Sequence, residues 1–116
     1  MKEPKRNTDI NSLEPYLIPR VQAILDGMKK RGFDPIIFEA RRTGERQFWL
    51  MTSGNKNHKP VTWTLKSKHI IGKAVDIISK KNLWLDAKFY KALKQEAKKQ
   101  SMHTISREQC HLQWEG

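Results

Sequence analysis

The run S-K-H-I-I-G-K-A-V-D, Ser67 to Asp76, places a histidine, a turn and a carboxylate within ten residues. On a continuous helix His69 and Asp76, seven positions apart, would stack two turns apart along the axis, too far to share one ion. They cannot be a helical ligand pair of the H-E-x-x-H kind. Gly72 between them reaches backbone angles closed to other residues, so a turn there brings the two side chains together. The A-V-D-I-I segment is short, apolar and β-branched, and as a strand it sets Ala74, Asp76 and Ile78 on one face. A carboxylate on such a surface is costly unless a cation pairs with it, and a metal ion is the simplest candidate.

A third ligand has to come from elsewhere. The C-terminal E-Q-C-H offers His111, with Glu108 three residues before it. Two histidines and one carboxylate, with a second carboxylate left over for proton transfer, form the inventory of a catalytic zinc site. In a regular strand Glu108 and His111 would point to opposite faces, so the chain must turn or bulge between them if both serve one centre. The other two histidines fit less well. His58 lies in a polar, basic stretch and reads as a surface residue, and the spacing of His103 to His111 matches no metal motif. Cys110 is the only cysteine, which excludes an intramolecular disulfide, and it reads as a small buried hydrophobe.

The pattern S-x-H-x-x-G-x-A-x-D, followed by E-x-x-H, resembles the zinc D-alanyl-D-alanine peptidases. These VanY-like enzymes include D,D-carboxypeptidases, vancomycin-resistance D,D-dipeptidases and bacteriophage L-alanyl-D-glutamate endolysins. Upstream, R-R-T-G-E-R-Q-F-W-L is similar to the family's Y-R-T/S-x-x-x-Q-x-x-L segment, which sets its arginine at Arg42 and its glutamine at Gln47. Gly54, Val61 and Thr62 also stand where phage members carry them, and the match runs over roughly residues 36 to 113. Two departures are visible: a W-G-G-x-W stretch before the last ligand is absent, and Cys110 replaces the usual proline.

The resemblance implies a zinc ion held by His69, Asp76 and His111, with Glu108 as general base. It implies that Arg42 polarises the substrate beside the metal, a task suited to a permanently charged planar donor. Ser67 and Gln47 take substrate-binding roles on the same ground. The implied substrate is a peptidoglycan stem peptide, cut at L-Ala-D-Glu or at a D-Ala bond.

The remaining segments read as scaffold. Val21, Ile24, Leu25 and Met28 recur at helical spacing and predict a helix from about Pro19 to Arg31, stopped by Gly32. I-I-F-E-A predicts a strand within Phe33 to Ala40, after the Asp34-Pro35 turn signal. Thr43 is a plausible N-cap for a short helix to about Ser53, and Asp86 caps another to about Ser101. The latter would bury Phe89, Tyr90, Leu93 and Ala97 and present Lys88, Lys91, Lys94, Lys98 and Lys99 to solvent. The final segment should return to the sheet edge and close the site. The expected fold class is α+β, a small and largely antiparallel sheet with helices packed on one side, hedgehog/D,D-peptidase-like.

At 116 residues the chain reads as one catalytic domain, residues 1–116, with no separate wall-binding domain and a monomeric state. Hydrophobic residues at 37% and charged residues at 30% fit a globular protein and argue against disorder. No apolar run is long enough for a membrane span, and no apolar segment follows the basic N-terminus as in a secretory signal. With the resemblance, this suggests a phage-type endolysin held in the host cytoplasm until release to the wall. A net charge of +11 concentrates a protein on polyanions, so anionic cell-wall polymers are expected partners. Two alternatives are a basic nucleic-acid-binding protein and a non-catalytic relic of the fold that binds wall peptides. The former lacks a recognition helix, zinc-finger spacing or RNA-binding motif.

Overall fold

The computed structural model describes residues 3–52, 68–105 and 108–114. After a 3-10 turn at Ile10–Ser12 come helix α1 (Ile18–Lys30), strand β1 (Pro35–Glu39), helix α2 (Gly44–Thr52), strand β2 (Ala74–Ser79), helix α3 (Ala87–Lys99), and strands β3 (His103–Ile105) and β4 (Glu108–Gln113).

Both long helices form where apolar spacing and end signals agree. Leu17, Val21, Ile24 and Met28 are fully buried along one side of α1. Its end is a Schellman turn: Gly32 takes φ +87°, while the Gly32 and Phe33 amides donate to the carbonyls of Lys29 and Met28. Helix α3 starts at Asp86, whose side chain accepts from the Phe89 amide at 3.0 Å, as its N-cap position requires. It buries Phe89, Tyr90, Leu93 and Ala97 and leaves Lys88, Lys91, Lys94, Lys98 and Lys99 exposed. Burial pushes the Tyr90 hydroxyl up to about 12, and it donates to the Leu83 carbonyl.

The four strands form one antiparallel sheet in the order β1-β2-β4-β3. The final segment returns to the sheet edge as expected, through β3, and its second strand β4 then lies inside the sheet. Strand β4 pairs on one side with β2 and on the other with β3, so β3 takes the edge and β4 lies inside.

Alternation splits the sheet into two faces. Val75 and Ile77 of β2, Leu112 of β4 and Ile37 of β1 pack with α1 and α3 in the main core. Residues 74, 76 and 78 of β2, with 111 and 113 of β4, belong to the opposite face. Helix α2 is not in the α1/α3 layer: among the described residues, none of its side chains joins the main core cluster.

Before β2, the turn carries His69 to the sheet. The Gly72 amide donates to the His69 carbonyl at 3.3 Å, and Gly72 itself has φ +74°. The Glu14 amide closes on the Gly72 carbonyl at 3.0 Å, so a Cβ at Gly72 would stand 2.9 Å from the Glu14 nitrogen and 2.9 Å from Arg41 Nη2. Both conformation and space demand glycine. Gly72→Ala is expected to lower stability by about 1–3 kcal/mol, read as a drop in the urea midpoint.

Candidate metal centre

Asp76 and His111 are direct partners across the β2–β4 ladder, so register alone brings them together. His69 arrives from the preceding turn. Its ring is 1% exposed, and its Nδ1 lies 2.8 Å from the Ala40 carbonyl. A carbonyl only accepts, so the proton sits on Nδ1 and the Nε2 lone pair faces Asp76 Oδ1 at 3.3 Å. The Arg42 amide in turn donates to the His69 carbonyl at 2.9 Å, tying the turn to the end of β1 a second time.

His111 is held in the mirrored sense. Its Nε2 donates to Gln113 Oε1 at 2.9 Å, leaving Nδ1 to face Asp76 Oδ1 at 3.4 Å. The two imidazoles meet edge to face with centroids 5.0 Å apart. One ligand atom from each of His69, Asp76 and His111 lies within 4.8 Å of the others.

This geometry fits a metal ion. With the outer nitrogens protonated, three acceptors converge on one spot, an arrangement that repels itself unless a proton or cation lies among them. Each histidine already has its other nitrogen bonded, the usual support for a metal-ligating imidazole. Two histidines and an aspartate leave a tetrahedral ion one position for water or substrate.

Asp76 is only 13% exposed along its side chain. Burial by itself would raise its pKa. With a proton in place of a cation at that shared spot, hydrogen bonds from His111 and His69, and the charge the rings then carry, outweigh burial and hold the carboxyl well below the ordinary range.

Arg42 closes the other side of that carboxylate. Its Nη2 is 3.8 Å from Asp76 Oδ2 and donates to Glu39 Oε1 at 2.7 Å, while Nη1 donates to Gln47 Oε1 at 2.7 Å. Asp76 thus divides its oxygens, Oδ1 toward the histidines and Oδ2 toward the guanidinium. The Arg42 Nε is buried and has no hydrogen-bond partner among the described residues. Arg41 stays on the surface, reaching the Ser12 carbonyl.

The structure therefore brings together His69, Asp76, His111, Arg42 and Gln47. Ser67 lies outside the described residues, as do His58, Gly54, Val61 and Thr62. Glu108 opens β4, but its side chain lies outside the description. Its backbone pairs with Ile105, while the neighbouring Thr104 pairs with Leu112, so β4 carries three more residues than β3 across this step. The ladder between β3 and β4 is thus irregular just ahead of His111. His103 is exposed on β3, where it pairs with Gln113, and is not one of the three clustered residues.

Three contributors escaped sequence reasoning: Glu39, Arg46 and Gln113. The available signals were a single acid closing the apolar strand I-I-F-E, an Arg42/Arg46 pair at helical i,i+4 spacing, and a polar residue two places after His111.

The depressed Asp76 pKa has a defined consequence for the metal-free protein. Between the folded and unfolded pKa values the unfolded chain binds more protons. The stabilisation is therefore present above about pH 4 and is lost as pH falls below it. Asp76→Asn is expected to flatten the fall of the urea midpoint between about pH 5 and pH 3 relative to wild type.

No protein-family model matches the sequence, and no curated protein matches it. Solved structures do match in fold. The L-Ala D-Glu endopeptidase ChiX of Serratia marcescens superposes with a TM-score of 0.66 at 18% identity, over 97% of this chain and 91% of that one. The vancomycin-resistance D,D-pentapeptidase VanY of a VanB-type cassette, solved with Zn(II), gives 0.67 at 20% identity, over 90% of this chain and 73% of that one. VanYB in complex with D-alanine-D-alanine gives 0.69 at 19% identity, over 99% of this chain and 79% of that one. The chain thus has the α+β fold shared by the VanY-type D,D-peptidases and the ChiX endopeptidase.

Proposed function

We propose that the chain is a zinc-dependent peptidoglycan peptidase, a metallohydrolase cutting a stem-peptide bond of the L-Ala-D-Glu or D-Ala type in the manner of a phage endolysin. The observation that carries this reading is the convergence of His69, Asp76 and His111, each histidine with its outer nitrogen hydrogen-bonded, on the site face of that fold. The similar structures support the substrate class: one is an L-Ala D-Glu endopeptidase and another holds D-alanine-D-alanine.

In this reading His69 Nε2, Asp76 Oδ1 and His111 Nδ1 hold the zinc. The ion, when bound, lowers the pKa of water toward about 7 and draws charge from a carbonyl oxygen. Glu108 serves as general base, taking the proton of the attacking water and passing it to the departing amine. Arg42 offers a permanent positive charge beside the site for the charge that develops on the carbonyl oxygen. Gln47 and Ser67 are assigned to substrate binding, and Gln47 also accepts from Arg42 Nη1.

The basic helix supports attachment to anionic wall polymers. Lys88, Lys91, Lys94 and Lys98 line the exposed side of α3, on the layer opposite the metal face, so a polyanion held there leaves the site open. Among the described residues no helix is long and apolar enough to cross a membrane.

The deciding experiment digests purified peptidoglycan with zinc-loaded protein, with and without a chelator, and reads the products by mass spectrometry. Chelator-sensitive release is expected, and the new termini name the bond. Tightly bound zinc without cleavage would point to a wall-peptide-binding relic, and salt-sensitive DNA binding without cleavage to the nucleic-acid alternative. Glu108→Ala is expected to retain zinc and lose about 10²–10⁴-fold in turnover, the usual range for a lost general base. His69→Ala is expected to lose the metal itself, measured as zinc content after dialysis.

A further inference from the structure

Glu39 is 1% exposed and is held by two arginines. Its Oε1 accepts from Arg42 Nη2 and its Oε2 from Arg46 Nε. Arg46 is buried too, and its Nη1 reaches Glu3 Oε2 at 3.1 Å and the Pro4 carbonyl at 3.0 Å.

The backbone is shaped to put this carboxylate in the site row. Along β1 and β2 the pairs run Pro35 with Ser79, Ile36 with Ile78 and Ile37 with Ile77, and then the register shifts so that Glu39 faces Asp76. Continued without the shift, the ladder would have set Phe38 opposite Asp76 and Glu39 opposite Val75, in the core row. One extra residue moves Glu39 from the core row into the row of Asp76 and His111.

Charge gives the arrangement its consequence. The buried guanidinium groups of Arg42 and Arg46 are balanced by two carboxylates, Glu39 and Asp76, while Glu3 is half-exposed. Asp76 is also the acid of the ligand set. Without Glu39, Arg46 would keep only the half-exposed Glu3, Arg42 would turn to Asp76 as its remaining carboxylate among the described residues, and the pocket would be one unit more positive where a dication has to enter.

We propose that Glu39 is a positioning residue of the metal centre: it holds the Arg42 guanidinium beside Asp76 Oδ2 without letting it capture that carboxylate, and keeps the pocket neutral enough for a divalent cation. This inference rests on the metal reading of His69, Asp76 and His111.

The test is a zinc titration against a chromophoric chelator, with circular dichroism and thermal unfolding recorded alongside. Glu39→Gln keeps the shape and removes the charge, and about 10- to 100-fold weaker zinc binding is expected from a folded variant, the usual loss for an outer-shell partner. Adding Arg46→Met removes one of the two cations, so the double variant is expected to recover part of the lost affinity. A folded Glu39→Gln protein with wild-type zinc affinity would overturn the proposal. Should Glu39→Gln alone fail to fold, the double variant is compared with Arg46→Met: weaker zinc binding in the double variant sustains the proposal, and equal affinity overturns it. A wild-type protein that takes up no zinc would overturn the peptidase reading and this inference with it, whereas zinc binding insensitive to Glu39 overturns this inference alone.

Discussion

The structure depends on the burial of one carboxylate. Asp76 sits in the middle of an interior strand, between Glu39 on one neighbour and His111 on the other. Desolvating an aspartate there is expensive, and each surrounding element reduces that cost. The turn at Gly72 brings His69, the last strand brings His111, and the end of β1 brings Arg42. The carboxylate is the one group that all three, two imidazoles and a guanidinium, approach.

Much of this was legible in the sequence because it is written in local signals. The spacing of Val21, Ile24 and Met28 and the glycine at 32 fix α1, and Asp86 marks the start of α3, each to within a residue or two. The clustering of His69, Asp76 and His111 was legible from the glycine between the first two and from the E-x-x-H near the end. Less legible was anything that depends on strand order. That β4 lies inside the sheet follows from its pairing with both β2 and β3, and such non-local pairings leave no periodic trace in a chain read from end to end. Glu39 was hidden for a related reason. Regular alternation from Ile37 would assign it to the core row, where a charged residue makes no sense, and only the register shift changes its face. The pairing partner of Gln113 was hidden because it reports on the tautomer of His111, a property no residue pattern displays.

The two bulges share one logic. The shift in β1 brings an acid into the row of Asp76 and His111, and the longer irregularity in β4 interrupts alternation just before His111. Both lie on strands flanking or completing the same row, where a regular ladder would send half of the side chains into the core. Irregularity of register is thus the means by which β1 brings its acid to the face that regular alternation would have denied it.

The sheet also divides labour. One face is packed with Ile37, Val75, Ile77 and Leu112 against α1 and α3, and the other carries the histidines, Asp76 and Glu39. Changes on the second face leave the hydrophobic layer that supplies most of the folding free energy in place. A lineage built on this plan can wander in specificity, exchanging residues around the ligands over many generations, while each intermediate still folds and persists long enough for selection to test it.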